Sequence, residues 1–314
     1  MVKEAARLTA PHITILMATC NGARFLPAQL YSLLAQTHSN WSLRASDDGS
    51  RDGTADILRD FGRAHPGRLQ HLLQGPGLGS PAQNFMALLT HPDVPMGLVA
   101  LADQDDVWLP GKLSRAVEYL AATLPNLPAI YASESILTDA NLRPLARSKE
   151  PTAVPGFRNA LVQNLFAGHS TVLNAAALSL VQRAGIPRTI AFHDWWLYQL
   201  IAGAGGQCLL DPAQTVLYRQ HGNNAFGAAH GARGALWRIK HLLRNDYAAW
   251  LGAHWQALHD AAPYLAPACR EVVRDLVHSR MGESRAAQFR RLRLHRSTAR
   301  GTAALMLAAG LGRI

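Results

Sequence analysis

Three carboxylates stand within four residues at Asp103-Gln104-Asp105-Asp106. Side by side they repel one another, and only protons or a cation relieve that repulsion. Their hard oxygens suit Mg²⁺ or Mn²⁺, ions that keep bound waters and also take phosphate oxygens. An acidic turn needs the same residue types, but here an apolar run, GLVALA (97–102), leads directly into the motif. A second acidic turn, Asp47-Asp48-Gly49-Ser50, offers carboxylates to the hydrogen-bonding edge of a base or sugar; equally, these are residues that make turns and cap helices. His193-Asp194-Trp195-Trp196 sets a carboxylate among large aromatics, surroundings that suit a general base. Aromatic faces stack on sugar rings, so Trp195 and Trp196 are candidates for holding a saccharide acceptor. Tyr218-Arg219-Gln220-His221-Gly222-Asn223-Asn224 is dense in polar donors, and His221 can ligate a metal through a neutral ring nitrogen.

The elements that must position these groups follow from periodicity. Strands are predicted at residues 13–18, 41–46, 69–74 and 97–102, alternating with helices, the pattern of a mainly parallel sheet covered by helices. Ser80-Pro81 is a cap followed by proline at the first helical position. Asp52 is placed to cap the helix that starts at Thr54. Further on, a helix is expected over 174–184, another opening at His193, and an extended segment over 208–217. From Leu236 the pattern turns helical, with Tyr247, Trp250, Leu251 and Leu258 on one face. The polar clusters Thr19-Cys20-Asn21, Asp47-Asp48 and Asp103–Asp106 all fall at carboxyl ends of predicted strands. In open α/β sheets that edge is where ligands bind.

Composition narrows the alternatives. The chain has 314 residues, 48% hydrophobic and 17% charged, enough for a large core. Its net charge of +10 invites a nucleic-acid reading, but the charge is local. Residues 1–232 carry 17 basic and 16 acidic side chains, net +1, whereas 233–314 carry 14 and 5, net +9. A basic nucleic-acid-binding face would need cations beside stacking aromatics, and the expected cleft is instead acidic. No nucleic-acid partner is expected. Three cysteines supply neither a disulfide framework nor metal-ligand spacing. No signal peptide is visible in MVKEAARLTAPH, and the apolar stretch 302–311 is about half the ~20 residues that span a bilayer. P-loop, GxGxxG, HExxH and GxSxG motifs are absent.

Taken together, these residues resemble the family 2 glycosyltransferases, whose fold is the GT-A nucleotide-sugar-binding α/β domain. The matching stretches are Ala18-Thr19-Cys20-Asn21-Gly22, Gln36-Thr37, Ser46–Thr54 and ADQDDVWLP (102–110), in the family's order and spacing. Phe192–Trp196 and Tyr218–Asn224 look like the bacterial rhamnosyltransferase-like branch. The resemblance implies a nucleotide pocket lined by Thr19, Asn21 and Asp48, with Asp48 on the base. It implies a divalent cation, Mg²⁺ or Mn²⁺, on Asp105 with His221 as a further ligand, Asp103 nearer the ribose, and Asp194 as catalytic base. Cys20 departs from the family's usual Tyr or Phe, and Gln83 from a common basic residue.

The expected activity is inverting, metal-dependent transfer of a sugar, rhamnose at branch level, from a nucleoside-diphosphate donor. The expected acceptor is a saccharide, lipid-linked, in bacterial surface polysaccharide assembly. A sugar-1-phosphate nucleotidyltransferase is the nearest rival, but it needs a Gly-rich, Arg-containing loop after the first strand, which 19–26 does not supply. The expected organisation is a glycosyltransferase domain over 1–232 and a helical basic extension over 233–314. Within the latter, Arg285, Arg290, Arg291, Arg293, Arg296 and Arg300 alternate with Phe289, Leu292 and Leu294, as in interfacial membrane segments. That pattern leads to the expectation of a cytoplasmic enzyme docked on the anionic inner face of the cytoplasmic membrane.

Overall fold

A computed structural model of the chain describes residues 10–148, 154–221 and 246–314. The expected boundary between 232 and 233, together with Asn223, Asn224, Leu236, Ile239 and Leu243, lies outside the described residues.

The first half alternates as the periodicity predicts: β1 (Ile13–Thr19), α1 (Leu26–Leu34), β2 (Trp41–Asp47), α2 (Thr54–Ala64), β3 (Leu69–Gln74), α3 (Pro81–Leu89) and β4 (Leu98–Asp103). Every residue of β1 is buried, because the strand lies mid-sheet with helices on both faces. Ser80 caps α3, its hydroxyl accepting from the Gln83 amide. Asp52 does not cap α2 directly; Gly53 takes that place. One Asp52 oxygen accepts from the Thr54 amide and the other from the Ala23 amide, so the side chain ties the start of α2 to the loop after β1.

The second half is more mixed: β5 (Val107–Trp108), α4 (Lys112–Ala121), β6 (Ala129–Thr138), β7 (Pro144–Arg147), α5 (Phe157–Ala160), β8 (Val172–Leu173), α6 (Ala175–Ala184), α7 (His193–Gly203) and β9 (Gln207–Arg219). All nine strands form one sheet in the order β3-β2-β1-β4-β8-β6-β9-β5, with β7 beside β6. β3, β2, β1 and β4 are parallel neighbours; β8 runs antiparallel to both β4 and β6. β9 then runs parallel to β6 and delivers Arg219 back to the edge where β1, β2 and β4 end.

Helices cover both faces. α1 and α4 bury Leu26, Leu30, Leu113 and Ala116 on one side, against Ile13, Ile15 and Leu43. α3, α6 and α7 pack on the other. The C-terminal helices, α8 (Asp246–Asp260), α9 (Pro267–Val277), α10 (Arg285–Arg291) and α11 (Ala299–Gly310), complete that second face. Leu251, Trp255, Val273, Phe289 and Leu305 belong to the same core as Phe85 and Trp195, so this region is built onto the body of the fold.

Phe289, Leu292 and Leu294, expected to meet lipid, are 0%, 6% and 2% exposed in that core. An apolar stripe between arginines serves a protein core as readily as a bilayer, and here the core takes it. Arg291 pairs with Glu283 and Asp275, Arg285 lies over the Trp255 ring, and Arg296 donates to the Tyr247 hydroxyl. Arg290, Arg293 and Arg300 are exposed, as are Leu307 of α11 and Leu311 directly after it. Among the described residues no helix is long and apolar enough to cross a membrane.

Candidate active site

The carboxyl ends of β1, β2 and β4 open onto a cavity of about 540 Å³, within the range of small-molecule sites. Thr19 and Cys20 line it from β1, Asp48 from β2, Asp103 to Asp105 from β4, and Phe192, His193 and Asp194 from the start of α7. Thus three clusters far apart in sequence converge at one sheet edge.

The two acidic turns are anchored differently. The Asp48 carboxylate is 8% exposed. Its oxygens accept the Gly77 and Gly79 amides at 2.6 and 2.8 Å, folding the glycine-rich loop between β3 and α3 against the Asp48 side of the cavity. Thr19 donates to Asp47 Oδ1 at 2.9 Å, and Ser50 donates to the same oxygen. Asn21 is exposed and is not part of the cavity wall; its side-chain oxygen accepts the Arg51 amide, and its backbone sits at φ 49°. Its part is to shape the loop after β1.

In the DxDD motif the residues diverge. Asp106 is fully buried; one oxygen accepts the Arg219 amide and the other has no hydrogen-bond partner among the described residues. The Arg219 side chain donates to the Asp105 carbonyl at 2.7 Å, which turns the Asp105 carboxylate toward His221. Asp105 Oδ2 and His221 Nε2 are 2.8 Å apart. Burial, with Asp105 and Asp194 as neighbouring charges, pushes the Asp103 carboxyl up to about 8. Asp103, Asp105 and Asp194 thus stand close enough for their charges to repel one another.

A second group of ligand atoms lies deeper: Asp103, Asp106 and His169 offer atoms within 4.8 Å of one another. Lys112 is buried beside them, its ammonium 3.8 Å from the Trp108 ring and 3.5 Å from the Ser170 carbonyl. Burial pulls that ammonium down to about 7 against the attraction of Asp106, and holds His169 neutral by lowering its pKa to about 3. A divalent ion in the deeper group would face this lysine. The pair Asp105–His221, with Asp103 adjacent, is the better fit: two ligands at right angles on an ion ~2.1 Å away stand roughly 3 Å apart.

Asp194 opens α7 with its carboxylate fixed by two amides, Gly168 at 3.0 Å and Trp195 at 2.7 Å. His193 stacks on Phe85 at 4.1 Å, with burial lowering its pKa. Trp195 and Trp196 are 3% and 1% exposed, and Trp195 donates its indole N–H to the Ala160 carbonyl. Neither offers a face to a ligand, so the acceptor role expected of them is corrected: they are core. Of the Phe and Trp rings of this segment, Phe192 lines the cavity, with Trp250 of α8 edge-on to it at 5.1 Å. Gln104, Lys112, His169 and Phe192 all shape the site and were not foreseen. Of these, Gln104 and Phe192 carried a signal, their places inside the acidic motif and the Phe192–Trp196 stretch.

Comparison with known proteins agrees with this geometry. Residues 14–171, half of the chain, match the family described as Glycosyl transferase family 2. The dTDP-rhamnosyl transferase RfbG of Shigella flexneri is 28% identical over 239 residues, 74% of this chain and 80% of the relative. An Escherichia coli relative, the UDP-Glc:alpha-D-GlcNAc-diphosphoundecaprenol beta-1,3-glucosyltransferase WfgD, is 25% identical over 127 residues, 40% of this chain and 47% of its own. Among solved structures, the mannosyltransferase PcManGT from Pyrobaculum calidifontis in complex with GDP-Man and Mn²⁺ superposes with a TM-score of 0.54 at 19% identity, covering 98% of this chain and 88% of that one. Staphylococcus aureus TarS 1–349 in complex with UDP-GlcNAc gives 0.52 at 14% identity, covering 90% and 89%. The structural likenesses establish the GT-A fold, and the family match establishes glycosyl transfer from a nucleotide sugar as the activity. The chain belongs to glycosyl transferase family 2.

Proposed function

We propose that the enzyme moves rhamnose from a dTDP-linked donor to a hydroxyl of a lipid-linked saccharide, with inversion at the anomeric carbon. The observation that carries the reading is the meeting of Asp103, Asp105 and Asp194 at one cavity whose other end is closed by Asp48 and its glycine loop. The choice of donor sugar and nucleotide rests on the relative from Shigella flexneri. That of a lipid-linked acceptor rests on the Escherichia coli relative named for a diphosphoundecaprenol substrate.

In this reading Thr19 and Asp48 form the base end of the donor site, and Asp103 takes the ribose. Asp105 and His221 hold Mg²⁺ or Mn²⁺, which when bound offsets the charge that builds on the departing diphosphate. Asp194 takes the proton of the acceptor hydroxyl as its oxygen forms the new bond to the anomeric carbon and the bond to the diphosphate breaks. The two amides on Asp194 fix the direction of its remaining lone pairs. Nothing covalent is required of the protein. Phe192 supplies the apolar wall on the acceptor side.

Residues 246–314 act in this reading as a helical extension of the catalytic unit. The exposed Arg290, Arg293 and Arg300, with Leu307 and Leu311, are its means of meeting an anionic membrane from the cytoplasmic side. Charge reversal at the three arginines reduces co-sedimentation with anionic vesicles if that is so; unchanged co-sedimentation contradicts it. The main reading is tested by a panel of dTDP-, UDP- and GDP-sugars with Mg²⁺ or Mn²⁺, scored by nucleoside-diphosphate release with lipid-linked saccharide acceptors. Release from dTDP-rhamnose above the others supports it, and preference for another donor overturns the sugar assignment.

A further inference from the structure

The middle residue of the acidic motif makes an unusual pair of bonds. Strands β1 and β4 are in register only as far as Ala18 opposite Asp103. Beyond that point the Gln104 side chain continues the pairing. Its Oε1 accepts the Cys20 amide at 2.9 Å and its Nε2 donates to the Cys20 carbonyl at 2.9 Å. A carboxamide offers a donor and an acceptor side by side without charge, so it can satisfy both backbone groups of one residue as a neighbouring strand would. Glutamate lacks the donor, and alanine or serine falls short of the distance.

The loop after β1 is shaped to receive it. A Cβ on Gly22 would lie 2.1 Å from Gln104 Oε1 and 2.4 Å from its Cδ. Gly22 is not in the left-handed region, so its lack of a side chain is explained by this close approach and not by backbone conformation. On its far side the same loop is tied to the end of β2, the Asn21 amide donating to Ser50 Oγ at 2.7 Å. The loop of Thr19 and Cys20 is therefore held between the base-side turn and the motif that carries Asp103 and Asp105.

We propose that Gln104 is a positioning residue that fixes the base-binding loop relative to the metal-bearing loop, so that a nucleoside diphosphate engages both ends at once. This rests on the donor site described above. A ligand held at two points gains from the rigidity of the link between them: the second contact forms at an effective concentration set by that link. Each half of the ligand, bound alone, is indifferent to the link.

The test compares three probes on wild type, Gln104→Ala and Gly22→Ala: dTDP with Mg²⁺, thymidine alone, and pyrophosphate with Mg²⁺. Gly22→Ala keeps the motif intact and displaces the amide from the opposite side, while the Gly22 amide keeps its bond to Thr54 Oγ1. Both variants are expected to bind dTDP–Mg²⁺ about tenfold more weakly. They bind thymidine and Mg²⁺-pyrophosphate within about twofold of wild type. Equal losses for all three probes, or no loss for dTDP, overturn the proposal. Wild-type protein that binds no dTDP but binds UDP under the same protocol moves the base assignment and not the clamp, and the comparison is then read with UDP and uridine. Wild-type protein that binds neither nucleotide overturns the donor site itself, and the clamp with it.

Discussion

His221 and Asp105 meet at 2.8 Å, Nε2 to Oδ2, across 116 positions of sequence. The contact is assembled by β9, which returns to the sheet edge with Arg219 gripping the Asp105 carbonyl and the Asp106 carboxylate. Phe25 then lies against the His221 ring at 4.7 Å. A histidine that looks solitary in the sequence is thereby fixed on the acidic motif.

If this pair holds the cation, His221→Ala raises the Mg²⁺ or Mn²⁺ concentration needed for half-maximal nucleoside-diphosphate release by about 10- to 100-fold. Saturating metal restores most of the rate. Asp105→Ala is not restored. A metal titration of the three proteins checks this, and identical curves for wild type and His221→Ala would remove the histidine from the site.

The fold that brings β9 to the site depends on Asp211. Its oxygens accept both Arg115 nitrogens at 2.7 Å, the Tyr131 hydroxyl at 2.8 Å and the Ala213 amide, where β9 changes register against β6. Although burial opposes it, these donors hold the carboxyl below its ordinary value. A depressed carboxylate adds stability above its unfolded pKa and loses it as pH falls through the folded one. Asp211→Asn is expected to cost about 2–3 kcal/mol at pH 7. The gap to wild type narrows below about pH 4. Urea unfolding at pH 7, 5 and 3 measures it; a gap that is constant with pH contradicts the assignment.

How far this site could be read from the sequence differs by element. β1 and β4 are buried along their length and their apolar runs stand out, whereas β2 alternates through Ser42, Arg44 and Ser46; the polar residues at the ends of all three mark the ligand edge directly. Asp194 was legible as the start of a helix among aromatics. Trp195 and Trp196 misled for the same reason: a large aromatic beside a carboxylate looks alike whether it faces a sugar or the core, and only packing against Ala160, Phe192 and α8 decides. Phe289, Leu292 and Leu294 raise the same ambiguity for lipid. Lys112 reads as a surface residue at a helix start, and its burial over Trp108 arises from contacts that no local pattern carries.

The burial of Trp195 has a measurable consequence. Trp195→Ala removes a large core side chain and leaves the Ala160 carbonyl with Gln199 Nε2 as its remaining side-chain donor. It should cost about 3–5 kcal/mol of stability. Among molecules still folded, the KM for acceptor stays near wild type. Calorimetry and acceptor kinetics distinguish this from a stacking role, in which KM rises and stability holds.

The central claim is that Asp194 is the proton acceptor at the end of a nucleotide-sugar cavity. Asp194→Asn keeps an oxygen for only one of the two amides, Gly168 or Trp195, and cannot accept a proton at neutral pH. Single-turnover transfer from the preferred donor measures the chemical step directly. The account predicts a fall of about 10²- to 10⁴-fold with donor affinity unchanged. Transfer within about tenfold of wild type would contradict it.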